Sequence, residues 1–284
     1  MSPSTDFDLS RELEVARELA LQAGAILLEV YATEFTVWQK PGGAGPVTDA
    51  DARANELIVA ALQREFPGDA VIAEESEGAA AAHGPRCWYV DPLDGTREFV
   101  DRNGMFAVQI GLAIGGEPAL GVVFAPASGK LYTATAGGPC TLEHEGSRRR
   151  LHVAEAPERT ENLRLVVSRS HRSHRTELIR ARLGIQNVAQ HGSVGIKCGL
   201  IAEGLADLYL HPSGRSYRWD TCGPEAVLRA AGGVLTDFAG ARYRYDGTEL
   251  ENRRGIVACS AGAFPAVLPV AREVAESAGL LPPT

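Results

Sequence analysis

The chain has 284 residues, of which 45% are hydrophobic, and a formal net charge of -8 at pH 7. This length and apolar content suffice for one large domain or two packed halves with a core. The acidic surplus argues against a general nucleic-acid binder, which needs a basic face to displace counterions from phosphates. No uncharged apolar run of about 18 residues occurs, and charged residues occupy the N-terminus where a signal peptide needs an apolar segment. We therefore expect a cytoplasmic protein without a membrane span.

The five cysteines are odd in number, widely spaced and without a Cys-x-x-Cys pair. This pattern favours reduced, structural thiols over a disulfide framework or a zinc site. They are Cys87, Cys140, Cys198, Cys222 and Cys259.

The first half of the chain combines helices with an antiparallel β signal. Apolar residues recur at spacings of three and four over 8–32, which predicts an amphipathic helix. A loop rich in glycine and proline follows at 41–46, and its backbone freedom suggests a lid. A second helix is predicted over 51–66 and a short buried strand over 70–73. From 106 to 153 alternating apolar residues and turn signals indicate an antiparallel sheet.

Helices and strands alternate after Pro157, which is the pattern of a layered α/β unit. We therefore expect an α/β protein with an α+β N-terminal subdomain over 1–157 and an α/β C-terminal subdomain over 158–284. The strands predicted in the second half are 163–167, 187–189, 206–210, 233–236 and 256–259, and the helices are 175–183, 194–203, 222–231 and 264–278.

Residues 91–96, Asp-Pro-Leu-Asp-Gly-Thr, carry the most informative pattern in the chain. An apolar strand delivers Asp91, and Pro92 ends the strand ladder because it lacks an N–H. Gly95 lets backbone amides approach an anion where a helix can begin, and Thr96 adds a hydroxyl. Two carboxylates three positions apart beside such a turn predict a metal site facing a phosphate site.

Three other segments place carboxylates where a strand ends or a helix begins. Each has an ordinary structural explanation: a helix cap at 48–51, a solvated charge pair at 74–75, and an aspartate N-cap at Asp220. Together with 91–96 they put carboxylates at four separate points, where the edge of an α/β sheet collects ligands. The joint pattern favours a functional site over four unrelated caps.

These motifs resemble the signatures of the inositol monophosphatase family, and the resemblance spans nearly the whole chain. Residues 91–99, 102–104, 121–126 and 168–171 are similar to the 3'(2'),5'-bisphosphate nucleotidases of bacterial sulfur assimilation. The segment 219–237 is similar to the animal bisphosphate nucleotidases instead. Both relatives imply the same class of substrate.

The resemblance implies a layered αβαβα sandwich and a Mg²⁺-dependent, lithium-sensitive phosphomonoesterase that uses metal-activated water. It implies two or three Mg²⁺ ions, with Mn²⁺ as a substitute, since both prefer hard oxygen ligands. The implied metal ligands are Glu74, Asp91, Asp94, Asp220 and the carbonyl of Leu93; Thr96 and Asp51 orient the water, Glu75 supports them, and the amides of Gly95 and Thr96 bind phosphate.

The substrate side is predicted from a basic cluster at 169–175 and from the segment 192–197. The corresponding regions of the nucleotidases contact the sugar, the base and the non-scissile phosphate, which implies roles for His171, Ser193 and Lys197. The alternative explanation is an ordinary solvated basic face.

The sequence therefore predicts hydrolysis of the 3'-phosphate of adenosine 3',5'-bisphosphate, with the sulfated nucleotide as a further substrate. One alternative is an inositol monophosphatase or a promiscuous sugar-phosphate phosphatase with the same metal chemistry, and another is a non-catalytic nucleotide sensor. The expected partner is a small phosphorylated molecule and not a nucleic-acid polymer, and a homodimer stays open. Cys222 would make the site sensitive to oxidation if its thiol were exposed. The basic loop 212–218 is a candidate for tuning specificity.

Overall fold

A computed structural model describes residues 7–39, 45–76, 84–170 and 173–281. The N-terminal region contains two helices and a small antiparallel hairpin. Its elements are α1 (Ser10–Tyr31), β1 (Val37–Gln39), β2 (Pro46–Thr48) and α2 (Asp49–Glu65).

A seven-stranded sheet follows, in the order β3-β4-β5-β6-β7-β8-β9. The first pair is parallel and every later pair is antiparallel. Its strands are β3 (Ala70–Ala73), β4 (Arg86–Asp94), β5 (Ala107–Ile114), β6 (Glu117–Ala125), β7 (Lys130–Thr135), β8 (Thr141–His144) and β9 (Ser147–Arg150), and the short helix α3 (Thr96–Val100) follows β4.

The second half builds a five-stranded sheet in the order β11-β10-β12-β14-β13. Its first three strands are parallel, and β14 is antiparallel to both of its neighbours. The strands are β10 (Arg164–Ser168), β11 (Asn187–His191), β12 (Leu208–His211), β13 (Gly233–Thr236) and β14 (Ile256–Ser260). The helices are α4 (His174–Leu183), α5 (Val194–Ala202), α6 (Arg218–Ala230) and α7 (Phe264–Ser277).

Helices and sheets stack in five layers. Helices α1 and α2 pack on one face of the seven-stranded sheet, and their apolar faces share one core with β4, β5 and β6. Helices α5 and α6 pack together and contact both sheets, while α4 and α7 contact each other and share a core with the five-stranded sheet. The predicted α/β class and layered sandwich are confirmed. No helix in the described part of the chain is long and apolar enough to span a membrane.

Two helices begin earlier than predicted, because each starts with a capping box rather than with its first apolar residue. The side chain of Asp220 accepts a hydrogen bond from the Tyr217 N–H at 2.8 Å, so Asp220 lies in the first turn of α6 and is not its N-cap. Asp51 makes the same contact with the Thr48 N–H at the start of α2. In both helices the capping interaction fixes the direction of a carboxylate that the sequence singled out.

Strand β4 does not end at Pro92 as predicted. Its pairing with β5 breaks between Asp91 and Asp94 and resumes where Asp94 lies opposite Ala107. The irregularity is where a proline is tolerated in a sheet, since no ladder hydrogen bond needs its missing N–H. The proposed lid at 41–46 lies largely outside the described residues, and the domain boundary after residue 157 stays a prediction.

Glycines allow α6 to lie directly on the seven-stranded sheet. Gly111 and Gly121 are paired across β5 and β6, and both face Gly223 of α6. A Cβ on Gly121 would lie 2.2 Å from the carbonyl oxygen of Gly223, and one on Gly111 would lie 2.5 Å from its nitrogen. Backbone meets backbone here, so a side chain at either strand position would displace the helix that carries Asp220.

Gly121→Ala is expected to destabilise the fold by about 3 kcal/mol, since the new methyl overpacks a contact in which no side chain can move aside. The shift of the urea midpoint at constant m-value measures this loss. Gly68→Ala is the matched control, because a Cβ at Gly68 meets no atom within 4 Å. An unchanged midpoint for Gly121→Ala would contradict the close packing of α6.

Candidate active site

One cavity brings together predicted site residues from both halves of the chain. The end of β4 and the start of α3 form one side, and β12, α5 and the start of α6 form the other. The predicted residues that line it are Glu74, Asp91, Leu93, Asp94, Gly95, Thr96, Ser193, Lys197 and Asp220. Asp51 contacts this set from behind Thr96, Glu75 is not among the lining residues, and His171 lies outside the described residues.

The end of β4 and the turn that follows it line the cavity with polar groups. Asp91 is buried, and one of its carboxylate oxygens accepts a hydrogen bond from the Leu93 N–H at 2.9 Å. Gly95 has φ 100°, a left-handed conformation that favours glycine, and α3 begins at Thr96. This helix has only five residues, so its dipole contributes little to anion binding. The predicted phosphate contacts at Gly95 and Thr96 therefore rest on individual amides.

Asp94 is held by donors from two other elements. Its Oδ2 accepts hydrogen bonds from the Ser193 hydroxyl at 2.6 Å, from the Gly195 N–H at 3.2 Å and from the side-chain amide of Gln109. Burial raises the pKa of this carboxyl, and the nearby charge of Lys197 lowers it. The carboxylate is thus fixed in position before any ligand arrives.

The carboxylates in the cavity are close enough to affect one another. Burial raises the pKa of Asp91 and Asp220 well above the usual range, and the charges of Glu74 and Asp94 raise both further. The charge of Asp220 also raises the pKa of Asp91, so the two buried carboxyl groups cannot both ionise readily unless they share a proton or a cation. Carboxylate oxygens that lie this close together are suitable ligands for a hard divalent cation.

As the side chains stand, the carboxylates do not enclose a finished coordination sphere. Among the described residues no group of three or more His, Cys, Asp or Glu side chains is arranged to hold a metal ion. The fit to a cation rests on the shared cavity and on the mutual charge repulsion of these buried carboxylates. The assignment of the metal ligands stays a prediction.

Asp51 and Thr96 form a hydrogen-bonded pair at the cavity wall. The Thr96 hydroxyl lies 3.2 Å from Asp51 Oδ1 and 3.3 Å from the carbonyl oxygen of Leu93. Asp51 Oδ2 accepts from both the N–H and the hydroxyl of Thr48, at 2.8 and 2.7 Å. Burial raises the pKa of Asp51 to about 7, and the charges of Glu75 and Glu74 act in the same direction. Glu75 therefore influences the pair through Asp51.

Lys197 and Ser193 line the cavity, but their polar atoms are engaged with the protein. Lys197 is 2% exposed, its Nζ lies 4.7 Å from the centroid of the Tyr209 ring, and it donates to the His191 carbonyl at 3.5 Å. Burial lowers its pKa, and the charge of Asp94 raises it. Ser193 donates to Asp94 and caps α5 by accepting from the Ile196 N–H. Ser193 is therefore placed to position Asp94, while Lys197 supplies a nearby positive charge.

Gln109 and Glu98 are residues at or next to the cavity that the sequence motifs did not indicate as site residues. Gln109 is fully buried opposite Asp91 and donates to Asp94, and its signal was a single amide in an otherwise apolar strand. Glu98 lines the cavity, is 4% exposed and accepts a hydrogen bond from the Ser170 hydroxyl. Its signal was its place directly after the 91–96 motif.

Cys222 was expected to be sensitive to oxidation only if its thiol were exposed, and the thiol is not exposed. The residue is fully buried under the contact between α6 and β5, and burial raises the pKa of its thiol well above the usual range. A protonated, inaccessible thiol does not react readily with oxidants.

The layered fold and this cavity define a member of the inositol monophosphatase class. A sequence model described as the Inositol monophosphatase family matches residues 8–276. The chain belongs to this family.

Among curated relatives, the chain is 37% identical over 237 residues to the 3'(2'),5'-bisphosphate nucleotidase CysQ of Escherichia coli O157:H7, an alignment that covers 82% of this chain and 93% of CysQ. It is 29% identical over 259 residues to human inositol monophosphatase 1, which covers 87% of this chain and 88% of the human protein. Among solved structures, CysQ from Bacteroides thetaiotaomicron aligns with a TM-score of 0.73 at 31% identity, covering 88% of this chain and 97% of that one.

Proposed function

We propose that this chain is a metal-dependent phosphomonoesterase that removes the 3'-phosphate of adenosine 3',5'-bisphosphate and of its sulfated form. The observation that carries the reaction is the convergence of Glu74, Asp91, Asp94 and Asp220 on one cavity beside Thr96. The substrate is supported by the 37% identity to a protein named as a bisphosphate nucleotidase over 93% of its length. A cytoplasmic location, lithium sensitivity and a homodimer stay predictions.

Divalent cations held by Glu74, Asp91, Asp94, Asp220 and the Leu93 carbonyl would polarise the phosphate and lower the pKa of a water. We propose two or three Mg²⁺ ions, with Mn²⁺ as a substitute, because all these ligands are hard oxygens. The positions of Asp94 and Asp220 are set by hydrogen bonds from Ser193 and from the Tyr217 N–H. Asp94 and Asp220 are therefore held on rigid elements, and the other ligand side chains would complete the coordination sphere when cations bind.

The protein's contribution to the attack lies at Thr96 and Asp51. The Thr96 hydroxyl can donate its proton to Asp51 Oδ1, which leaves the Thr96 oxygen to accept a proton from the attacking water. The other carboxylate oxygen of Asp51 accepts two hydrogen bonds from Thr48, which restrict rotation of the Asp51 carboxylate. A pKa of about 7 suits a group that must accept a proton near neutral pH. Glu75 supports the pair electrostatically.

The main alternative is an inositol monophosphatase, favoured by the 29% identity to the human enzyme of that name. The carboxylate cavity serves any phosphate monoester, so the leaving group must be tested directly. A non-catalytic nucleotide sensor is less compatible with this chain, since every predicted ligand side chain is retained.

The test is a substrate panel assayed with Mg²⁺, with Mn²⁺ and after removal of divalent cations by a chelator. Phosphate release should be lost with the chelator, by about 1000-fold or more, and should return with Mg²⁺, because the cations would polarise the phosphate and activate the water. The panel contains adenosine 3',5'-bisphosphate, its sulfated form, inositol 1-phosphate and fructose 1,6-bisphosphate. A higher kcat/KM for inositol 1-phosphate than for the nucleotides would contradict the substrate assignment.

A further inference from the structure

Two arginines line the cavity without a hydrogen bond or an ion pair to any residue that the structure describes. Most arginines in the described part of the chain form an ion pair or donate to a carbonyl or amide oxygen. Those for which the described residues provide neither a hydrogen bond nor an ion pair are Arg97, Arg150, Arg215 and Arg242, and of these Arg97 and Arg215 line the active-site cavity.

Their places in the fold put the two guanidinium groups on different walls. Arg97 follows Thr96 in α3, beside the end of β4, and its side chain is exposed. Arg215 lies in the loop between β12 and α6, on the five-stranded side, and is also exposed. A ligand that fills the cavity would meet one cation from each sheet.

Lys197, the predicted cation for a second phosphate, is already committed elsewhere. It is buried in the cavity wall, its ammonium group lies over the Tyr209 ring, and its charge compensates that of Asp94. An anion brought to Lys197 would have to displace these contacts and would approach Asp94 as well. Exposed guanidinium groups that have no hydrogen bond or ion pair among the described residues carry no such cost, and their planar donors match a phosphate in a bidentate manner.

We propose that Arg97 and Arg215 bind the second, non-scissile phosphate of the substrate and so determine the preference for a bisphosphate. The inference rests on the proposed function, because it assigns the part of the substrate that does not react. The loop 212–218 thereby acts in specificity through Arg215, and Ser216 and His211 flank it on the cavity wall.

The experiment compares two substrates with the same reacting group. Adenosine 3',5'-bisphosphate carries the second phosphate and adenosine 3'-monophosphate lacks it. Arg97→Gln, Arg215→Gln and the double variant should each lower kcat/KM for the bisphosphate, by about 10-fold singly and about 100-fold together, as for lost charge-assisted hydrogen bonds. The kcat/KM for the monophosphate should change by less than about 3-fold. This substrate lacks the phosphate that the arginines would bind, and an exposed side chain without a partner contributes little.

Arg150→Gln is the matched control, because Arg150 is exposed and likewise without a hydrogen bond or ion pair to the described residues, but lies on β9 away from the cavity. Calorimetric titration with adenosine 5'-monophosphate gives a second readout that involves no turnover. Its Kd should rise in the cavity variants and stay unchanged in Arg150→Gln.

Two results would overturn the inference. Equal losses on both substrates would place the arginines at the scissile phosphate, and variants that match Arg150→Gln would make them ordinary solvated side chains. The wild-type enzyme tests the proposed function separately: failure to hydrolyse adenosine 3',5'-bisphosphate overturns that function and the inference with it. If the wild type hydrolyses the bisphosphate and the variants keep its preference for the bisphosphate over the monophosphate, the inference alone is overturned.

Discussion

Asp94→Asn is expected to lower kcat by about 1000-fold or more, because it removes one negative charge from the group that would hold the cations and leaves a weaker ligand. Asparagine keeps a carbonyl oxygen that can accept from Ser193 and Gly195, so the local hydrogen bonds survive. The neutral side chain also relieves repulsion with Asp91 and Asp220. Steady-state kinetics at saturating Mg²⁺ measures the loss. The thermal midpoint should change little, because the relieved repulsion offsets the loss of the charge that compensates the buried Lys197.

Asp207→Asn provides the control for this prediction. Asp207 is also buried, but it pairs with Arg164 at 2.6 Å and does not line the cavity. Its variant should lose stability, by about 1–3 kcal/mol, because it weakens charge-assisted hydrogen bonds, and should retain its kcat. If Asp94→Asn retained full activity, the metal assignment would have to be abandoned.

Thr96→Ala is expected to lower kcat by about 100-fold, since it removes the hydroxyl that links the attacking water to Asp51. Thr96→Ser keeps the oxygen and should recover most of the activity. Because Thr96 is only partly buried at the start of α3 and its other contact is the Leu93 carbonyl, the unfolding free energy should change by less than about 1 kcal/mol. KM should change little, as the phosphate amides remain.

The pH profile distinguishes this role from a structural one. Asp51 must be unprotonated to accept from Thr96, so activity in the wild type should rise with pH as Asp51 loses its proton. Burial raises the Asp51 pKa to about 7, and cations held by Glu74 would shift the rise to lower pH. The rise should weaken in Thr96→Ala, where no hydroxyl links Asp51 to the water. A threonine that only packs would leave the profile unchanged and would rule out the proposed proton path.

The sequence indicated which carboxylates would meet at one cavity, because short motifs record which residue types lie at strand ends and helix starts. Asp91, Asp94 and Asp220 fall in such motifs, and all three line the cavity. The capping boxes at Asp51 and Asp220 were readable as patterns, but their consequence for side-chain direction was not. Direction depends on where each helix begins, and apolar periodicity placed those starts too late.

The partners of the carboxylates could not be predicted, since they come from strands and helices far apart in sequence. Gln109 meets Asp94 only because β5 lies beside β4 in one register. The contact of Lys197 with the Tyr209 ring likewise depends on how α5 packs on β12. A residue type indicates what a side chain can bind, whereas tertiary packing decides whether that capacity is already used.

Helix α6 has a consequence for how activity is acquired during synthesis. It contributes Asp220 from late in the chain, yet it is seated on glycines of a sheet that is complete by residue 150. A ribosome-bound fragment that ended before α6 could form that sheet and would still have an open-sided, three-carboxylate pocket. Catalysis would thus begin only after α6 has docked on the sheet, and a partly assembled chain would hydrolyse no substrate before that step.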